Sequence, residues 1–520
     1  MKLPLSLISI SILSPILCFA TAYQPGDWVL YGGYRYVTSL ALNWHYLYVT
    51  TTNGVICYDH IRDEWSLLSS PPSTAIEITA PDHYSNNVWF ATSATLFRYE
   101  PTFEKWFSFP SPFSRPIDSL AIGRFHIWIA SENKFACFFR RTNDRFTIVS
   151  QDSLHSEENM VWFKRRKFFL SKILYRYGFL APYFYLDENL RRYQITAVVE
   201  DPFSADVWVG TSGLGVFRYN RYTWQKTHLP FGFTSENIRA IAQDGKNLWF
   251  GGQGITYWQR EEKNWQYFES PYSLGLLSDR IKSILPINHL IWFGTSYGLA
   301  KYDLTEKRFT TYTIFDGLND NDVFCLASER AYLWVGTKFG LCQLDLYTNN
   351  IAKIKDRLLN DFTIYDIGVD TFFVWVTTPR GVFQLNKEKN QWSCFNHPEG
   401  WLSFEVQKIL LDEEKIWFGL KGLIICYHRQ TQTWERLPAP SFIPQSDILA
   451  LAADERNLWI GTNSGVVRFN KRLQNWKIYT TIDGLPDNVV QAILIDGDYV
   501  WFGTKKGAVR FYWNSPFRAE

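Results

Sequence analysis

One stretch of the chain carries the residue types best suited to chemistry at a surface. Lys164-Arg165-Arg166-Lys167, Lys172 and Arg176 place six positive charges between Val161 and Leu180, with no acid among them. Phe168, Phe169, Leu170, Ile173, Tyr175 and Tyr177 are interleaved with these cations. Such a stretch can dock on an anionic membrane surface, an acidic polysaccharide or a partner protein. The plainer reading is an enlarged loop whose cations are solvated while its aromatics pack beneath.

Other candidates carry less. Asp316-Gly317-Leu318-Asn319-Asp320-Asn321-Asp322 offers oxygen ligands of the kind calcium takes, but without the distal bidentate Glu of an EF-hand. Asp and Asn also bond to nearby backbone, so a structural turn is expected there. Nine histidines are scattered, with no His-Glu-x-x-His run, Gly-x-Ser-x-Gly elbow or phosphate loop. The pairs Glu157-Glu158, Glu261-Glu262 and Glu413-Glu414 fall in turn-like segments. No Cys-x-x-Cys or Cys/His cluster has metal spacing, so no cofactor, metal or catalytic residue is assigned. Cys57, Cys137, Cys325, Cys342, Cys394 and Cys426 each sit in a strand-like run, which suits small buried hydrophobes better than disulfides.

The elements that would position these residues repeat. Trp208, Trp249, Trp292, Trp334, Trp375, Trp417, Trp459 and Trp501 are spaced 41 to 43 residues apart. Around Trp459, Ile448 to Ala452 reads as a doubly buried inner strand and Leu458 to Gly461 as a second strand. Val466 to Phe469 reads as a third, and Trp476 to Tyr479 as a half-exposed outer one. Four short strands per unit at this period mark β-propeller blades. Trp65, Trp106, Trp392, Trp434, Trp476 and Phe309 each follow the anchor aromatic by 17 residues, and Trp224 and Trp265 by 16. Two large aromatics per unit would fill the wedge between neighbouring sheets.

About twelve such units fit the chain. Trp28-Val29-Leu30-Tyr31 copies an outer strand with no repeat before it, and the last repeat stops at its third strand, Ala508 to Tyr512. A blade completed by both ends is therefore expected, because closure removes exposed sheet edges. Twelve blades exceed a usual ring. Two rings are expected, six and six or five and seven, over residues 23–260 and 261–520, with a single ring as the minority arrangement. In a tandem layout the spare N-terminal strand would close the first ring. A degenerate blade is expected around the insertion near residues 164–180, with Val161-Trp162-Phe163 as its second strand and Tyr193 as its outer aromatic.

Leu458-Trp459-Ile460-Gly461-Thr462-x-x-Gly465-Val466 followed by Asp483-Gly484-Leu485-Pro486-x-Asn488 resembles the two-component regulator propeller repeat. Ile291 to Leu299 with Phe315 to Asn319 matches it equally well. The resemblance is strong from about Val207 onward and implies paired propellers of the kind found outside the cytoplasm in glycan-detecting hybrid sensor kinases. The chain shows no kinase, response-regulator or transmembrane pattern after the repeats, so signalling across a membrane by this polypeptide alone is not expected. The matching residues are structural, and none transfers as a binding residue.

Lys2, an apolar run to Phe19 and Ala20-Thr21-Ala22 read as a signal peptide over residues 1–22, which implies a secreted or periplasmic protein. A net charge of +2 gives no reason to expect nucleic acid. The resulting expectation is an exported recognition scaffold, more binding protein than enzyme, for a glycan, a peptide or an envelope protein partner. Peripheral membrane contact would run through the basic insertion. The alternatives are a propeller polysaccharide lyase or hydrolase, and a structural part of an envelope or secretion assembly.

Overall fold

The structure is a computed structural model that describes residues 26–68, 76–140, 145–150, 160–165, 184–187, 189–356, 359, 362–437 and 446–514. The expected signal peptide lies outside these residues, as do Arg166, Lys167, Lys172 and Arg176.

Local chemistry repeats from blade to blade. In the turn between second and third strands, Thr295 Oγ1 donates to the Gly298 carbonyl at 2.8 Å and accepts from the Tyr297 N–H at 3.0 Å. Gly298 has φ +102°, and a Cβ there would lie 2.5 Å from the Tyr312 carbonyl oxygen, so only glycine fits. In the turn between third and outer strands, Asp303 Oδ1 accepts the N–H groups of Thr305 at 2.8 Å and Glu306 at 3.0 Å. The inter-blade loop is held by its own carboxylate: Asp316 Oδ2 accepts the Thr313 N–H, and Asn321 Oδ1 accepts the Ile314 N–H. Asp483 and Asn488 repeat both bonds with Thr480 and Thr481. The calcium-like loop is thus a turn.

These units form eleven antiparallel sheets among the described residues, most of them four-stranded. Seven make a closed ring. Its sheets span residues 240–268, 281–312, 323–353, 366–395, 406–437, 448–479 and 490–512. Each inner strand packs on the next, and the first, Ala240–Asp244, packs on the last, Val490–Asp496. The last sheet takes Trp28–Tyr31 as its fourth strand, antiparallel to Gly507–Tyr512, with Trp28 opposite Phe511. The N-terminal strand therefore completes the truncated C-terminal blade. It closes the second ring rather than the first.

The smaller ring is inserted between the Trp28–Tyr31 strand and the Ala240–Asp244 strand. Its described sheets span residues 37–67, 78–110, 119–149 and 184–229. Its last described sheet meets its first where Arg192–Glu200 packs on Val37–Leu42. The division expected after residue 260 is corrected, because Gly254–Gln259 and Asn264–Phe268 are paired strands of one sheet.

The degenerate blade is also corrected. Trp162–Lys164 adds a fifth strand to the inner edge of the 119–149 sheet, by pairing with Ser119–Ile122. Tyr193 lies on the Arg192–Glu200 strand, between Phe184–Leu186 and Asp206–Thr211 in the next sheet, not on an outer strand. Trp224 sits in a turn at φ +62° and is 55% exposed, so it is no wedge aromatic.

The wedges between sheets hold the core. Trp208, Trp249, Trp292, Trp459 and Trp501 are fully buried on second strands, and burying a large apolar side chain is worth roughly 2–3 kcal/mol. The second strand Asn457–Thr462 is buried throughout, whereas the inner strand Ile448–Ala453 is only partly so. Alternate inner-strand residues face the ring axis, so the expected doubly buried strand is the second one. Cys57, Cys137, Cys325, Cys342 and Cys426 are buried thiols, and Cys394 is exposed on an outer strand.

Candidate functional site between the rings

Two chain crossings join the rings. One runs from Tyr31 to Val37 and the other from Leu229 to Ala240, and the Phe233 N–H donates to the Gly32 carbonyl at 3.0 Å where they meet. Gly232, at φ +84°, lies so close that a Cβ would sit 2.5 Å from the Gly32 oxygen. Tyr34 stacks on Phe231, with ring centroids 5.6 Å apart. The neck is packed by side chains from both crossings.

Beside the neck, a hairpin of the smaller ring reaches toward the larger one. It pairs Phe184–Leu186 with Gln194, Tyr193 and Arg192, and its turn is organised by Asp187. Asp187 Oδ1 accepts the N–H groups of Asn189 at 2.9 Å and Arg191 at 2.8 Å, while Oδ2 accepts Arg191 Nε–H at 2.7 Å. Burial alone would raise this carboxyl, but the bonds from Arg191 outweigh it and hold Asp187 below its ordinary range.

Glu269 of the larger ring accepts from both sides. Arg35 Nη1 donates to Oε1 and Arg191 Nη1 to Oε2, each at 2.6 Å. Burial pushes the Glu269 carboxyl up, and the two guanidinium groups, Arg35 foremost, pull it below its ordinary value. Arg191 lies 3.8 Å from the Tyr272 ring centroid and Arg35 lies 4.9 Å from that of Tyr267. One neck residue, one small-ring residue and one large-ring loop are thereby clamped together.

Two cavities, of about 550 and 430 Å³, flank this clamp and share Arg35, Glu269 and Tyr272 in their walls. The first adds Tyr36, Asn53, Asn237 and Gln253, with Lys505 at its edge. The second adds Tyr185, Asn189, His228 and Gln266. Tyr36 and Tyr272 are 54% and 41% exposed, and Arg191 covers one face of the Tyr272 ring. In the second cavity Tyr185 stacks on Phe217 at 4.2 Å and His228 stacks on Phe217 at 4.6 Å. His228 Nε2–H donates to the Leu214 carbonyl at 2.8 Å, and burial pushes the imidazole below its ordinary pKa. Chemically the groove offers flat aromatic faces beside planar amide, carboxylate and guanidinium groups.

Neither of the described residues singled out from sequence, Lys164 and Arg165, lines this groove. Lys164 instead lines a cavity of about 270 Å³ on the inner side of the smaller ring, with Thr38, Thr79 and Thr196. Arg165 is paired with Glu77, and its backbone N–H donates to the Asp118 carbonyl at 2.8 Å. The other four basic residues are outside the described set, although the chain that follows them enters the Asp187–Arg191 turn. Arg35, Arg191 and Glu269 were not legible as a group, because they come from three distant segments. One signal was present: Leu274-Gly275-Leu276 stands where other blades have Asp316-Gly317-Leu318 and Asp483-Gly484-Leu485.

With this architecture in place, the chain can be set beside known proteins. It superposes on the extracellular domain of the putative hybrid two component system BT4673 from B. thetaiotaomicron with a TM-score of 0.50 and 16% identity, over 93% of this chain and 71% of that one. This chain has that fold. The extracellular domain of the putative hybrid two component system BT3049 from the same organism gives a TM-score of 0.48 at 19% identity, over 91% of this chain and 61% of that one. PorZ, a bacterial surface component of the type-IX secretion system of Porphyromonas gingivalis, gives 0.48 at 12% identity, over 92% of this chain and 68% of that one. No protein-family model and no curated protein sequence matches the chain. Among the described residues no helix is long and apolar enough to cross a membrane.

Proposed function

We propose that this chain is an exported double-propeller recognition protein that binds a glycan in the groove between its rings. The observation that carries this reading is the placement of the exposed Tyr36 and Tyr272 side chains beside amide and charged side chains around the Arg35–Glu269–Arg191 clamp. Sugar rings present C–H faces to aromatics and hydroxyls to planar polar groups, so both halves of a saccharide have partners here. The groove spans both rings, so a bound ligand would also fix their relative position. Export is supported by the signal-peptide pattern of residues 1–22.

The test is a thermal-shift screen of the protein against neutral and acidic oligosaccharides, with product analysis of each mixture. A ligand bound only by the folded state raises its stability as RT ln(1 + [L]/Kd). A shift abolished by Tyr272→Ala and by Tyr36→Ala supports the groove. A shift accompanied by shortened products moves the protein to the lyase or hydrolase reading. No shift across the panel refutes glycan binding and directs the search to a protein partner.

A further inference from the structure

Cys426, His428 and Glu435 come together on one face of the sheet spanning residues 406–437. Cys426 and His428 are two apart on the third strand, Leu423–His428, so their side chains share a face. Glu435, on the outer strand Thr433–Leu437, is the register partner of Cys426. A thiol sulfur, an imidazole nitrogen and a carboxylate oxygen thereby lie within 4.8 Å of one another, with His428 Nε2 and Glu435 Oε2 3.2 Å apart. Cys426 is buried at the base, while His428 and Glu435 reach partly into solvent.

A second observation concerns what His428 replaces. The last residue of the third strand is a turn cap in other blades. Asp59, Asn220, Asp303, Asp345 and Asn470 each accept two backbone N–H groups of the following turn through one side-chain oxygen. An imidazole in the same place gives up that local stabilisation. Its ring is directed instead at the Glu435 carboxylate.

We propose that Cys426, His428 and Glu435 form a binding site for a zinc-class divalent cation, with its remaining coordination position open to solvent. A mixed sulfur, nitrogen and oxygen donor set suits zinc, whose bonds of about 2.0–2.3 Å to such atoms require only a small closing of the present separation. The Sγ–metal bond forms as the Cys426 proton leaves to solvent. Two lysines lie nearby: Lys471 on the next blade is paired with Asp412, and Lys415, the register partner of His428, lies over the Trp417 ring at 5.4 Å from its centroid. The antiparallel register supplies what a one-dimensional spacing rule misses, because Glu435 enters from the neighbouring strand.

The experiment titrates the reduced, metal-free full chain with Co²⁺ and then with Zn²⁺. The expected result is one Co²⁺ per chain, a thiolate-to-cobalt charge-transfer band, and loss of that band as Zn²⁺ displaces cobalt. Cys426→Ser removes the band. His428→Asn installs the turn-capping side chain of the other blades, so it keeps or raises the melting temperature while weakening binding by roughly tenfold or more. Folded parent protein with no cobalt–thiolate band overturns the proposal, as does an equal affinity in His428→Asn.

Discussion

Trp28 stacks on Phe511, with ring centroids 4.0 Å apart and planes 19° from parallel, although they stand near opposite ends of the described chain. The pair is the side-chain counterpart of the register that places Trp28–Tyr31 beside Gly507–Tyr512. It locks the larger ring, and the smaller ring is threaded through the same closure.

Removing this lock should unfold the larger ring more readily. Trp28→Ala is expected to cost about 3 kcal/mol, and deletion of residues 28–31 considerably more, because it also strips a strand from the last sheet. Gly484→Ala should act in the same direction, since its φ is +130° and a Cβ would lie 2.7 Å from the Trp28 ring. Denaturant melts would measure both. An unchanged melting temperature on deleting residues 28–31 would falsify closure by the N-terminal strand.

The Arg35–Glu269–Arg191 clamp predicts a pH dependence with a definite sign. Glu269 has a folded pKa held below its ordinary value of 4.5. Its contribution is therefore fully present above that value and is lost as pH falls through the lower folded pKa. Glu269→Gln should cost about 1–3 kcal/mol at neutral pH, and the difference from parent should fade below pH about 4.5. Urea melts across this range would show it, and a difference independent of pH would refute it.

His228 gives a second window. Burial depresses its folded pKa below 6.5, so the unfolded chain binds the proton more readily. The stability tied to neutral His228 is present above pH about 6.5 and declines as pH falls toward the folded value. His228→Gln should flatten the slope of stability against pH in that interval while lowering stability at neutral pH. An unaltered slope would show that another group titrates there.

Thiol reactivity should separate one cysteine from the rest. Cys394 is exposed, whereas burial pushes Cys57 and Cys426 up to about 12 and Cys342 up to about 11. Alkylation of the native protein without reductant is expected to label Cys394 rapidly and the others only on unfolding. Incomplete labelling of Cys57, Cys137, Cys325, Cys342, Cys394 and Cys426 in the denatured, unreduced protein would reveal a disulfide.

Repeat spacing alone made the blade legible. The Trp anchor, the Thr-x-x-Gly turn and the Asp-Gly-Leu connection are short-range devices whose partners lie within one unit, so each reads directly from local sequence. Even the spare strand at Trp28 could be matched to the missing one after Tyr512, because period and edge pairing demand it. Local resemblance misleads where the period breaks. Trp162 and Tyr193 resemble blade residues by type, yet Trp162 lies on a strand that joins the sheet before it and Tyr193 on a strand of the sheet after it.

The architecture of each unit is written locally, since strand alternation, glycine turns and side-chain caps act over a few residues. Which ring the ends close, where the smaller ring is inserted, and the meeting of Arg35, Arg191 and Glu269 were decided only in three dimensions. The same holds for Cys426, His428 and Glu435, whose proximity follows from strand register. The physical reason is that blades of nearly equal sequence offer nearly equal edges and wedges. Local propensity cannot choose among them, and only the closure of a whole ring, with its buried aromatics and paired edges, selects one arrangement.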